Sequence, residues 1–315
     1  MNARPSLDDL FERRISYPDF NPQARLARLV GLDDQKTRLA KILGLLINPR
    51  GLTDWANAHH PGADALLDAV LRRPPLVVLA GDVGSGKTEL AETIGDAVAR
   101  QEKIDITLLP LSLSTRGHGR VGEMTQLLSA AFDHTVELAS KLKSTSGKAR
   151  GAIILLVDEA DALAQSREAA QMHHEDRAGV NAFIRGIDRI ANASLPAAVL
   201  MCTNRLSALD PAVRRRAAEV LSFARPSEEQ RRHVLSAGLD PVGVSGRHID
   251  ALVAATGRRG ACGDLGFTFS DLTQRLLPAI VLDAYPTKKI EGARAVEIAQ
   301  AMAPTPPFRD GGSGV

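Results

Sequence analysis

Five short runs of mostly apolar residues recur along the chain, at 76–80, 106–109, 152–157, 197–202 and 219–223. The third, Ala152-Ile153-Ile154-Leu155-Leu156-Val157, is unbroken, the pattern of a strand covered on both faces, as in parallel sheets. Helical spacing separates the runs. Leu90, Ile94 and Val98 fall on one helix face, a helix is predicted over about 124–141, and Val180, Phe183, Ile184, Ile187 and Ile190 line another. Leu39, Ile42, Leu43 and Leu46 mark a helix ahead of the first run. The stretch 48–75, broken by Pro61, Pro74 and Pro75, reads as one further helix leading into it. Strands alternating with helices predict an α/β fold with a five-stranded parallel sheet. Beyond Pro226 only helical patterns remain, at 228–235, 248–255 and 270–284, which predicts a second, smaller α-helical domain.

The flanks differ from this body. Residues 1–28 are charged and interrupted by Pro5, Pro18 and Pro22, and read as an arm or linker. The large α/β domain is expected over 29–225 and the helical one over 226–303. Residues 304–315, with three prolines, three glycines and a serine, are expected to be disordered. At 315 residues the chain has ample material for a core, and 44% hydrophobic and 24% charged residues are ordinary globular values. A net charge of +2 gives no argument for nucleic acid or membrane as partner. Cys202 and Cys262 are too few and too far apart for a disulfide scaffold or zinc site, and Cys202 lies in an apolar run as a core residue would. Neither a signal peptide nor an 18-residue apolar stretch is seen, so a cytoplasmic protein is expected.

The chemistry enters directly after the first strand. Gly81-Asp82-Val83-Gly84-Ser85-Gly86-Lys87-Thr88 is G-x-x-x-x-G-K-[ST] in full, set between a strand and a helix. Glycines let successive backbone N–H groups curl round a phosphate, where a Cβ would collide. The helix N-terminus adds its positive end, Lys87 reaches the outer phosphates, and Thr88 can ligate Mg²⁺. These residues predict binding of a nucleoside triphosphate, ATP, with Mg²⁺. The third strand ends in Asp158-Glu159-Ala160-Asp161, where an open parallel sheet places ligand chemistry. Asp158 is the expected partner of Mg²⁺ beside Thr88, and Glu159 the general base for the attacking water. The fourth strand ends in Thr203-Asn204, and Asn204 can touch the γ-phosphate or that water.

In order and spacing these motifs resemble an AAA+ ATPase module over about 28–300. The resemblance implies a homo-hexameric ring. Leu209-Asp210-Pro211-Ala212-Val213-Arg214-Arg215-Arg216 is similar to the family's arginine-finger segment, whose arginine reaches the nucleotide of the neighbouring subunit. Arg216 is favoured there, Arg215 is the alternative and Arg214 the weakest candidate. Val30, Gly31 and Glu89 join the candidate nucleotide contacts. Within AAA+, the chain resembles the thyroid-receptor-interacting-protein-13-like ATPases that remodel HORMA-domain proteins. The segments carrying this likeness are 180–190, Arg216-Ala217 and 266–278, the last ending in Leu277-Pro278. It implies a HORMA-domain partner, as in compact bacterial versions that serve antiphage cyclic-oligonucleotide signalling. It also implies a substrate-gripping pore loop after the second strand. Here Arg116, His118, Arg120 and Val121 occupy that place without the usual aromatic residue. The family's sensor-2 arginine aligns with Leu272, and Arg275, one helical turn on, is the candidate in its stead.

Three functions compete: a ring ATPase that pulls on a protein, an AAA+ DNA-handling factor, and a nucleotide-switched scaffold. Arg116, His118 and Arg120 favour the DNA factor, since basic loops suit phosphates. The modest net charge and the lack of a helix-turn-helix or zinc module count against it. The complete Asp158-Glu159 pair counts against the scaffold, which needs no base.

Overall fold

The structure, a computed structural model, describes residues 10–11, 13–113, 123–144, 148–161, 174–258 and 265–307. In chain order it begins with β1 (Ile15–Tyr17) and helices α1 (Phe20–Arg28), α2 (Asp33–Ile47), α3 (Arg50–His59) and α4 (Asp64–Leu71). Next come β2 (Leu76–Gly81), α5 (Lys87–Glu102), β3 (Asp105–Ser112), α6 (Glu123–Leu142) and β4 (Gly151–Asp158). Then follow α7 (His174–Asn192), β5 (Ala197–Thr203), the short α8 (Pro211–Arg214) and β6 (Ala217–Phe223). The remainder is helical: α9 (Glu228–Leu239), α10 (Gly246–Ala255), a π-helical turn at Asp271–Leu276, α11 (Leu277–Ala284) and α12 (Gly292–Ala301). Residues 48–75 thus form two helices where one was expected.

The sheet has six strands in the order β1-β3-β4-β5-β2-β6. Neighbours β3 and β4, β4 and β5, and β5 and β2 run parallel, as their aliphatic sequences predict. The sixth strand corrects the expected five: β1 pairs antiparallel with β3, Ser16 opposite Thr107. Residues 13–28, read from sequence as an arm, are therefore built onto the sheet. Their anchor is α5. The buried Tyr17 hydroxyl donates to the Glu92 carbonyl, and the Asp19 N–H donates to Asp96 at 2.8 Å. Arg25 grips Glu89 with two hydrogen bonds, at 2.8 and 2.7 Å, and Glu92 with a third at 2.9 Å. Tyr17 lies so close to α5 that a Cβ on Gly95 would come within 2.4 Å of its ring.

The main core lies between the sheet and α6 and α7. It holds Val78, Leu109, Leu111, Leu155, Val157, Val199 and Met201 from the strands, with Leu128, Phe132, Val180, Phe183 and Ile187 from the helices. Phe132 and Phe183 meet edge to face, 5.7 Å between centroids. Cys202 is buried, as its apolar context predicts.

The chain divides into two compact units. One comprises 1–28, 33–80 and 88–222; the other comprises Leu29–Leu32, Gly81–Lys87 and Phe223–Val315. The second has its own core, with Leu235, Leu239, Ile249, Leu252, Leu272, Leu276 and Ile280 from the C-terminal helices, Phe267 from the segment ahead of the π-helical turn, and Val30 packed against them. Of residues 304–315, expected to be disordered, the described 304–307 are held in that unit: the Thr305 N–H and hydroxyl both donate to Asp271, at 3.0 and 2.6 Å.

Candidate nucleotide site

The glycine loop belongs to the second unit. Gly81, Gly84 and Gly86 all have positive φ, +156°, +71° and +93°, conformations that a side chain would strain. At Gly81 space forbids one as well, since a Cβ would lie 2.0 Å from the Phe223 carbonyl oxygen. The Lys87 ammonium is nearly buried and folds back on its own loop, donating to the carbonyls of Gly81 (2.9 Å) and Asp82 (2.7 Å). A lysine so placed stands over the loop that a phosphate would enter. Leu32 and Leu29 flank Gly86. Between them Gly31 adopts φ +70° and its carbonyl accepts from the Gln230 side chain at 2.8 Å, so Val30 and Gly31 share a unit with the loop.

The acids lie in the first unit, at the carboxyl ends of neighbouring strands. Asp158 closes β4 and Thr203 closes β5, with Val157 opposite Met201 and Ala80 of β2 opposite Thr203. The Thr88 hydroxyl donates to the Asp158 carboxylate at 3.3 Å, and the Glu159 N–H donates to the same oxygen at 2.8 Å. Burial pushes the Asp158 carboxyl above its usual range, outweighing these two donors. Glu159 is exposed and adopts φ +52°, left-handed for a residue with a full side chain. Such a conformation costs on the order of 1–3 kcal/mol and clusters at functional positions.

Asn204 is held by a residue to which no role was given from sequence. The Asp161 carboxylate accepts from the Thr203 hydroxyl (2.8 Å), the Asn204 backbone N–H (2.8 Å) and the Asn204 side-chain amide (3.1 Å). With its NH₂ turned to Asp161, Asn204 keeps Oδ1 as an acceptor. The signal was present, as the second aspartate of Asp158-Glu159-Ala160-Asp161.

The three arginines differ. Arg216 forks onto Asp188, Nε to Oδ1 at 2.8 Å and Nη2 to Oδ2 at 3.0 Å, and also donates to the Ala212 carbonyl. Arg214 and Arg215 are exposed, and neither side chain has a partner among the described residues. Glu89 is engaged by Arg25. Leu272 is fully buried, and Arg275 donates to Asp271 and to the Thr305 hydroxyl. Burial pushes the Asp271 carboxyl up, but donors from Thr268, Thr305 and Arg275 prevail and hold it at about 2. Arg116, His118, Arg120 and Val121 lie outside the described residues. Arg25, Asp188 and Arg225 carried no local signal, because their partners lie 64, 28 and 143 residues away in the chain.

The description of the ATPase family associated with various cellular activities (AAA) matches residues 77–225. CD-NTase-associated protein 6 of Escherichia coli strain MS 115-1 is 69% identical over 310 residues, covering 98% of this chain and 99% of that protein. Among solved structures, a chain of the E. coli MS115-1 HORMA:CdnC:Trip13 complex superposes with a TM-score of 0.89 at 67% identity, covering 98% of this chain and 100% of that one. Rhizobiales Trip13 follows with a TM-score of 0.73 at 59% identity, covering 95% and 100%.

Proposed function

This chain belongs to the AAA family of ATPases, beside CD-NTase-associated protein 6 and the Trip13 proteins, and from that premise we propose that it forms a ring that remodels a HORMA-domain protein. The observation that carries the proposal is the 67% identity, over nearly the whole chain, to a chain of a complex containing a HORMA protein. We take the ring to be a homo-hexamer, working in the cytoplasm within antiphage cyclic-oligonucleotide signalling. No described feature favours the DNA-handling alternative.

The roles of the residues follow from their chemistry. ATP is taken by the glycine loop, with Lys87 at the outer phosphates. Thr88 and Asp158 offer one hydroxyl and one carboxylate 3.3 Å apart, a donor set that fits Mg²⁺, which takes few protein ligands and keeps waters and substrate phosphates for the rest. When bound, the ion neutralises developing phosphate charge. Glu159 takes the proton of the attacking water as general base. Asn204, aligned by Asp161, offers Oδ1 to orient that water. An arginine of the 214–216 run supplies positive charge to the neighbouring subunit's γ-phosphate, without reorganisation at the moment of reaction.

Glu159→Gln removes the base and leaves the phosphate cradle intact. The variant is expected to bind ATP normally, to hydrolyse it about 10²- to 10⁴-fold more slowly, and to keep the HORMA-domain protein bound in ATP. Turnover near the wild-type rate in a coupled phosphate-release assay contradicts the assignment.

A further inference from the structure

The guanidinium of Arg225, two residues beyond β6, bonds three separate segments of the second unit. Nε donates to the Asp82 carboxylate in the glycine loop at 2.8 Å, Nη1 to the Gly266 carbonyl at 2.6 Å, and Nη2 to the Thr305 carbonyl at 2.8 Å. The side chain is 11% exposed. A nearly buried cation is tolerated only with such partners, and three directions at once need the planar fork of arginine. Lysine, a point charge on a flexible stem, cannot span them.

Both ends of this bridge matter. Asp82 follows Gly81, where an added Cβ would lie 2.0 Å from the Phe223 carbonyl oxygen, so the first two residues of the glycine loop are seated on 223–225. Gly84 is seated in turn on 268–270. Its carbonyl accepts from the Ser270 N–H at 3.1 Å, and a Cβ there would come within 2.8 Å of both Thr268 and Ser270. At the far end Thr305 commits all its polar groups. The N–H and hydroxyl go to the buried Asp271, the carbonyl goes to Arg225, and the hydroxyl also accepts from Arg275. A continuous line of hydrogen bonds thus runs Arg275–Asp271–Thr305–Arg225–Asp82.

We propose that Arg225 is a positioning residue for the phosphate-binding loop, and that the C-terminal segment holds it in place through Thr305. Arg225 acts through Asp82 of the loop. It fixes Asp82 and thereby the orientation of the loop's first peptides before ATP arrives. A loop released from it spends only part of its time in the binding conformation, and apparent affinity falls by that fraction. The Arg275 candidate then belongs to this brace. The inference rests on the reading of 81–88 as the ATP cradle.

The experiment measures the Kd of ATP by calorimetry and the KM and kcat of hydrolysis. The chains compared are wild type, Arg225→Met, Arg225→Lys, Asp82→Ala, the double variant Arg225→Met/Asp82→Ala, and the chain ending at Ala303. Arg225→Met is expected to weaken ATP binding at least about tenfold and to change kcat less, with no rescue by lysine. The double variant is expected to lose no more than the worse single one, because both break the same contact. The truncated chain, lacking Thr305, is expected to move KM in the same direction by a smaller factor. Unchanged Kd in Arg225→Met, full rescue by lysine, or losses that multiply in the double variant overturns the proposal. Should Arg225→Met not fold, Asp82→Ala and the truncated chain decide it, and unaltered Kd in both refutes it. Failure of the wild-type chain to bind ATP refutes the underlying cradle instead, so the two failures are told apart.

Discussion

A guanidinium already forked onto a carboxylate of its own chain is less ready to reach into a neighbour than one without a partner. Arg216 is of the first kind, held by Asp188, while Arg215 beside it is exposed and unpartnered among the described residues. Sequence likeness favours Arg216 as the trans-acting residue, and the geometry favours Arg215. We expect Arg215→Ala to lower kcat at least about a hundredfold, in the manner of a lost arginine finger. Arg216→Ala, which breaks a half-exposed ion pair, is expected to cost less than about tenfold. Steady-state hydrolysis by the two variants decides between them, and mixing Arg215→Ala with Lys87→Ala chains is expected to restore activity at mixed interfaces. The reverse ranking returns the finger to Arg216. Three consecutive arginines look alike in sequence. What distinguishes them is an aspartate on another element, which no local pattern reports. Asp161 was closer to legible, since it sits in the acidic run after β4 and needed only the thought that Thr203 and Asn204 would want an acceptor.

At the scale of elements, legibility follows the length of the apolar pattern. The central strands β2, β4 and β5 are buried almost throughout, and their aliphatic runs announce them. The glycine loop is legible for a different reason, because few chains place that spacing between a strand and a helix. The edge strand β1 spans three residues and is fixed by Glu92 and Asp96, so its sequence could not reveal it. The same holds for 304–307, whose prolines read as disorder while Thr305 is bound by Asp271 and Arg225. Contact between α6 and α7 gives a test of packing. A Cβ on Gly186 would lie 2.2 Å from the buried Phe132 ring, which cannot swing aside. Gly186→Ala gains about 1 kcal/mol of helix propensity. Overpacking a rigid core costs about 1–3 kcal/mol, more where ring and backbone must both move. We expect net destabilisation, read as a lower denaturant midpoint. An unchanged or raised midpoint shows that the helices separate without cost.

For the whole molecule, the proposed function makes ATP turnover answer to a protein partner. Residues 77–225 match a family of ATPases, and the likeness to solved structures titled for Trip13 extends over 98% and 95% of the chain, beyond that stretch. Net charge is near balance, so nothing at this scale calls for a polynucleotide. The residues that would grip a substrate, Arg116 to Val121, lie outside the described part, so the partner must be tested through the chemistry it stimulates. The most direct measurement is steady-state ATP hydrolysis by the pure wild-type chain, titrated in parallel with a HORMA-domain protein and with duplex DNA at fixed salt. The expected result is saturable stimulation by the HORMA-domain protein, lost in Glu159→Gln, and no response to DNA. Stimulation by DNA with none from the protein contradicts it.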